Sequence, residues 1–155
     1  MQITRQADYA LRAMLYLAQR EPAQRAATSQ IAEEQRIPPS FLAKIISQLS
    51  IAGLIHTSRG ARGGVTLARE PEQISLLEVV EAIDGPIMLN DCTEDTSNCP
   101  FGENCAIRDI WCEAQDELVK RLRSTTFAQF VKTNAVPLAV RPYQLSIPCR
   151  RPHTG

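Results

Sequence analysis

The sequence predicts a mainly α-helical fold carrying one small β-hairpin. Three observations predict it. The first 53 residues hold three amphipathic stretches with apolar residues at spacings of three and four. A Gly- and Arg-rich tip, SRGARGG, then separates two short runs with strand composition. Beyond an acidic middle, a long helical stripe returns after residue 106.

Each element can be justified in turn. Residues 3–19 place Ala7, Ala10, Leu11, Met14, Leu15 and Ala18 on one helical stripe, with Thr4 suited to the N-cap. EPAQRA reads as a loop. TSQIAEEQ is a short helix with Thr28 or Ser29 as cap and Ile31 and Ala32 inward. A third helix, SFLAKIISQLSIAG, buries Phe41, Leu42, Ile45, Ile46 and Leu49. Pro38 and Pro39 suit its first turn and Gly53 its end. Residues 54–57 and 65–67 form the hairpin strands. SLLEVVEAIDGP is a short helix stopped at Gly85-Pro86. Residues 106–132 form a long helix with Ile107, Ile110, Trp111, Ala114, Leu118, Val119 and Leu122 on its stripe. Helix, short helix, turn, helix and hairpin is the order of a winged helix-turn-helix. The long helix calls for a partner helix, supplied by a second copy in a dimer.

This order divides the chain into a winged helix-turn-helix at 1–85, a cysteine loop at 86–105, a dimerisation helix at 106–133 and a flexible tail at 134–155, where four prolines interrupt any period. The net charge is zero, but it is unevenly spread. Residues 1–71 hold nine Lys/Arg against five Asp/Glu, residues 72–118 one against twelve, and residues 119–155 seven against none. A basic front half suits an anionic partner, here duplex DNA. No apolar run approaches the ~18–20 residues that cross a bilayer, so no membrane partner and a cytoplasmic location are expected. There is no nucleophile–base pair and no phosphate loop followed by Lys, and His56 and His153 lie in a strand and in the tail. The sequence therefore speaks against an enzyme.

A recognition helix puts its N-terminal residues at base edges. Those are Pro39, Ser40, Phe41, Ala43 and Lys44 here, with Thr28 at the start of the preceding helix. Arg59 and Arg62 at the hairpin tip suit phosphate or minor-groove contact, and Gly63 and Gly64 let the backbone approach.

Cys92, Cys99 and Cys105 are spaced C-x6-C-x5-C among Asp, Thr, Ser, Asn and Gly. Five cysteines in a cytosolic chain suit a disulfide set poorly. The tight C-x2–4-C pair of a zinc site is missing. Three spread thiolates suit a larger object such as an iron–sulfur cluster, 4Fe–4S or 2Fe–2S. The spacing leaves the fourth ligand open between Cys112 and a carboxylate elsewhere in a dimer.

Over about residues 1–133 the sequence resembles the Rrf-type family of bacterial winged-helix regulators, which includes IscR-like iron–sulfur regulators and NsrR-like nitric-oxide sensors. The resemblance rests on MQITRQADYALRAMLYLA, FLAKIISQLSIAGLIHTSRGARGGVTLAR, SLLEVVEAIDGP and the three cysteines before the long helix, in that order. It implies a homodimer on palindromic operators, with a cluster whose state sets DNA affinity. Cys92, Cys99 and Cys105 match the family's cluster cysteines by position. The IscR-like ligand histidine is replaced here by Arg108, which cannot ligate, whereas the NsrR-like aspartate of the first helix stands at Asp8. The first gap is six residues where many members have five. The expected function is a repressor controlled by a cluster responding to nitric oxide, redox state or iron–sulfur supply. The alternative is a cluster-free regulator controlled by cysteine oxidation or a partner protein.

Overall fold

A computed structural model describes residues 2–21, 24–97 and 99–131. The tail assigned to 134–155, with Cys149 and His153, lies outside these described residues.

Helix α1 (Arg5–Ala18) begins where expected, its Thr4 hydroxyl accepting the Ala7 amide at 3.2 Å. Ala7, Ala10 and Ala13 are fully buried, so α1 lies close against its neighbours, and Met14 and Leu17 fill the remaining space. Helix α2 (Thr28–Gln35) corrects one expectation. Its N-cap is Ala27, with no side-chain cap, and Thr28 is its first residue. The cause is tertiary: Ala26 exchanges both backbone hydrogen bonds with Val65, at 3.0 and 2.9 Å, and holds the chain extended until Ala27.

The α2–α3 turn is closed by a Schellman pair. Ile37 N–H donates to Ala32 O at 2.9 Å and Arg36 N–H to Glu33 O at 3.2 Å, with Arg36 left-handed at φ 51°. Helix α3 (Pro39–Ile51) then starts on its proline, and Leu42, Ile45 and Leu49 enter the core. Strands β1 (Ile55–Ser58) and β2 (Gly64–Leu67) pair antiparallel with Ile55 opposite Leu67 and Ser58 opposite Gly64.

Helix α4 (Leu76–Asp84) carries a capping box. Ser75 Oγ accepts the Glu78 amide, and Glu78 accepts the Ser75 amide at 2.9 Å. A loop with short 3-10 turns at Asp91–Thr93 and Gly102–Asn104 leads into α5 (Ala106–Ser124).

The long helix expected over 106–132 is broken. After Ser124 the chain turns extended at Thr125, runs back to the start of α4, and resumes as α6 (Ala128–Val131). Leu76 N–H donates to Thr125 O and Phe127 N–H to Ile74 O. The driving force is Phe127, which is 1% exposed and sits in the main core with Met14, Ile31, Leu42, Ile45, Leu49 and Val79. Burying such a side chain contributes roughly 1.5–3 kcal/mol. The α5 stripe is also divided. Leu118, Val119 and Leu122 pack on Leu77, Val80 and Ile87. Ile107, Ile110 and Trp111, at the other end, are 67%, 63% and 41% exposed.

Candidate nucleic-acid interface and thiol loop

The outward side of α3 meets the hairpin in an open groove of about 560 Å³, lined by Ala43, Ser47, Ile51, Thr57, Ser58 and Arg59 among others. Thr28 and Gly63-Gly64 also border it. Ser40 and Lys44 are exposed on α3, and Pro39 is exposed at its first turn. The structure thus brings Thr28, Arg59, Gly63 and Gly64 to one groove, with Ser40 and Lys44 on the helix that forms its wall. Arg62 is exposed at the hairpin tip. Phe41 differs from the core role its period gave it. It is 48% exposed and meets Tyr9 of α1 edge-on, ring centroids 6.2 Å apart.

Gly63 and Gly64 are required by contact. A Cβ on Gly63 would lie 2.4 Å from Ser58 O, and one on Gly64, at φ 152°, would lie 2.9 Å from Ala26 O. Arg25, part of a loop by its sequence, is the wing's main side-chain support. Its Nη1 donates to Ser58 Oγ at 2.9 Å and to Arg62 O at 3.0 Å. Ala26 adds a single backbone bridge to Val65 at the edge of the two-stranded hairpin. A single bridged residue leaves no period to read; the one signal in the sequence is a basic residue shortly ahead of a helix start.

Helix α1 touches the groove's wall from behind. Gln6 Nε2 donates to Gln48 Oε1 of α3. Arg12 lies over the Tyr9 ring and donates to Gln35 O at the end of α2. At the other side, Thr4 N–H and Oγ1 donate to the two Asp84 carboxylate oxygens at 3.0 and 2.6 Å, joining α1 to the end of α4. Asp8 is exposed, its carboxylate 3.7 Å from Arg12 Nη1.

The thiol loop is pinned from one face of α5. Arg108 Nε donates to Cys92 O at 2.9 Å. Gln115 Oε1 accepts from Leu89 N–H at 3.0 Å and from Thr93 Oγ1 at 2.9 Å. Arg108 therefore has a holding role where the resemblance denied it a ligating one. Cys105 is the N-cap of α5 and Cys112 lies within that helix, so about 10 Å of helical rise separates them. Cys92, Cys99, Cys105 and Cys112 are all free and half-buried. In donor chemistry, three free thiols on one partly exposed loop fit an iron–sulfur group. Among the described residues of one chain, no three or more His, Cys, Asp or Glu side chains gather into a metal-sized group. Within a single chain, therefore, neither Cys92, Cys99 and Cys105 by themselves nor these cysteines with Asp8 are brought into one metal-sized group.

Comparison with known proteins agrees with this architecture. The family profile Rrf2, described as an iron-dependent transcriptional regulator, matches residues 3–133. The HTH-type transcriptional regulator NsrR of Shouchella clausii is 33% identical over 132 residues, 84% of this chain and 89% of that one. CymR, the global cysteine regulator of B. subtilis, superposes with a TM-score of 0.72 at 27% identity, covering 84% of this chain and 96% of that one. IscR of T. potens gives a TM-score of 0.68 at 26% identity, covering 85% and 87%. The chain is a DNA-binding transcriptional regulator, not an enzyme, and belongs to the Rrf2 family.

Proposed function

We propose that the protein is a cytoplasmic homodimeric repressor whose grip on a palindromic operator is set by an iron–sulfur cluster, 4Fe–4S or 2Fe–2S. Cys92, Cys99 and Cys105 hold the cluster, and Asp8 of the partner subunit completes the set. The observation that carries this reading is the loop itself: three free, half-buried thiols between α4 and α5, beside the exposed apolar end of α5. Domain roles follow the order read from the sequence, with 1–85 binding DNA, 86–105 holding the cluster and α5 joining the copies.

Such a group, when bound, supplies thiolate-held iron open to attack by nitric oxide or oxygen and lost when iron–sulfur supply fails. The chain's own residues carry the signal. Helix α1 is tied to α4 through Thr4 and Asp84, and to α3 through Gln6–Gln48 and Tyr9–Phe41. Freeing Asp8 lets α1 shift, and α3 shifts with it. Two recognition helices read half-sites one DNA turn apart, so their spacing controls affinity. A coupling of about 1–3 kcal/mol suffices. Thr28, Pro39, Ser40, Phe41 and Lys44 face the duplex with the wing residues Arg59, Arg62, Gly63 and Gly64.

A second reading is a cluster-free regulator controlled by cysteine oxidation or by a partner protein. It is favoured by the open loop, whose thiols form no metal-sized group, by themselves or with other described residues of the chain. Iron and sulfide analysis of anaerobically purified protein separates the two. Stoichiometric iron and sulfide, abolished in Cys92→Ser, Cys99→Ser and Cys105→Ser, supports the cluster; iron-free protein supports the second reading. An Asp8→Ala spectrum identical to that of the wild type would remove Asp8 from the ligand set.

A further inference from the structure

We propose that α3 reads thymine methyl groups in the major groove through Ala43 and Ile51, beside the contacts of Ser40 and Lys44. The inference rests on the DNA-binding reading above and adds the base chemistry of its operator.

The side chains that read base pairs with paired hydrogen bonds are Arg or Lys on guanine and Asn or Gln on adenine. Helix α3, PSFLAKIISQLSI, offers no Arg or Asn, and of the guanine readers only the exposed Lys44. Its one glutamine, Gln48, accepts a hydrogen bond from Gln6 through its carboxamide oxygen, which engages it with α1. What remains exposed is Pro39, Ser40, Phe41, Ala43, Lys44, Ser47 and Ile51. Phe41 is held edge-on by Tyr9.

Ile51 is 85% exposed, the most open large apolar side chain among the described residues, yet it lines the groove between α3 and the wing. Ala43 lines the same groove. Lys44 stands beside Ala43 in sequence and Arg59 lines the groove, so its charge selects a polyanion. Within a duplex, the group that complements an aliphatic side chain is the thymine C5 methyl. Ala43 and Ile51 are eight residues apart, about 12 Å along the helix.

The test uses the full chain, purified anaerobically, and a duplex operator that it selects from a random-sequence library. Each thymine is replaced in turn by uracil, which pairs identically but lacks the methyl. Two positions per half-site are expected to lose about fourfold in affinity each, the effect of one buried methyl-sized group. Ile51→Ser is expected to abolish the uracil effect at one of these positions and preserve it at the other. A flat uracil scan on a tightly bound operator overturns the inference and leaves DNA binding standing. So does an Ile51→Ser variant that changes the mass of the free protein while keeping the wild-type uracil profile, because Ile51 then covers a second copy. Failure to select any duplex removes both the inference and the reading beneath it.

Discussion

Glu78 shows how much one side chain can organise. Burial raises the cost of its charge, but the Ser75 amide, Arg69 and the Ser75 hydroxyl outweigh that and hold its carboxyl below the usual range. Arg69 Nη2 lies 2.7 Å from it. A carboxyl lowered in the folded state contributes stability above its unfolded pKa, near 4.3, and that contribution is lost as pH falls through the lower folded value. Glu78→Ala should therefore cost about 1 kcal/mol at neutral pH, the usual worth of a cap. The deficit should shrink as urea titrations are taken below about pH 4. A deficit of constant size across that range would show that the charge has no part in the cap.

At the scale of elements, the wing and the long helix each hold something that periodicity could not reveal. The helices were legible because their apolar residues recur every three or four positions, and Thr4, Pro39, Gly53 and Gly85 mark their ends. The missed features are single residues fixed by distant partners. Ala26 pairs with Val65 and displaces the cap expected at Thr28. Phe127 reaches the core and ends a helix that composition would have continued. The thiols were legible from their polar setting, but Arg108 and Gln115, which pin their loop, read only as helix surface.

Arg25 extends this to function. If it supports the wing rather than touching DNA, Arg25→Ala should weaken duplex binding about three- to tenfold in the wild-type chain and have almost no effect beside Arg59→Ala and Arg62→Ala. The doubly substituted wing should also flatten the salt dependence of log affinity by up to ~0.9 for each phosphate it no longer neutralises. Equal losses from Arg25→Ala in both backgrounds would mean that Arg25 meets the duplex itself. For α5, Ile110→Lys with Trp111→Lys should convert a dimer to a monomer by sedimentation, with little loss of helicity, because both side chains are already exposed in one chain. An unchanged mass would place the interface elsewhere.

At the scale of the whole molecule, charge and mechanics point the same way. The basic front half holds α3 and the wing, and the acidic middle holds the thiol loop. Among the described residues, no helix is long and apolar enough to cross a membrane. Helix α1 contacts α2, α3, α4 and strand β2, so under the proposed function a change at Asp8 can reach α3 directly and the wing through β2. The most direct test is operator affinity measured anaerobically on one preparation, first with its iron and sulfide intact and then after chelation. The cluster-controlled reading requires a change of about five- to 150-fold, the span of a 1–3 kcal/mol coupling. Equal affinity in the two states, with iron present in the first, would contradict it.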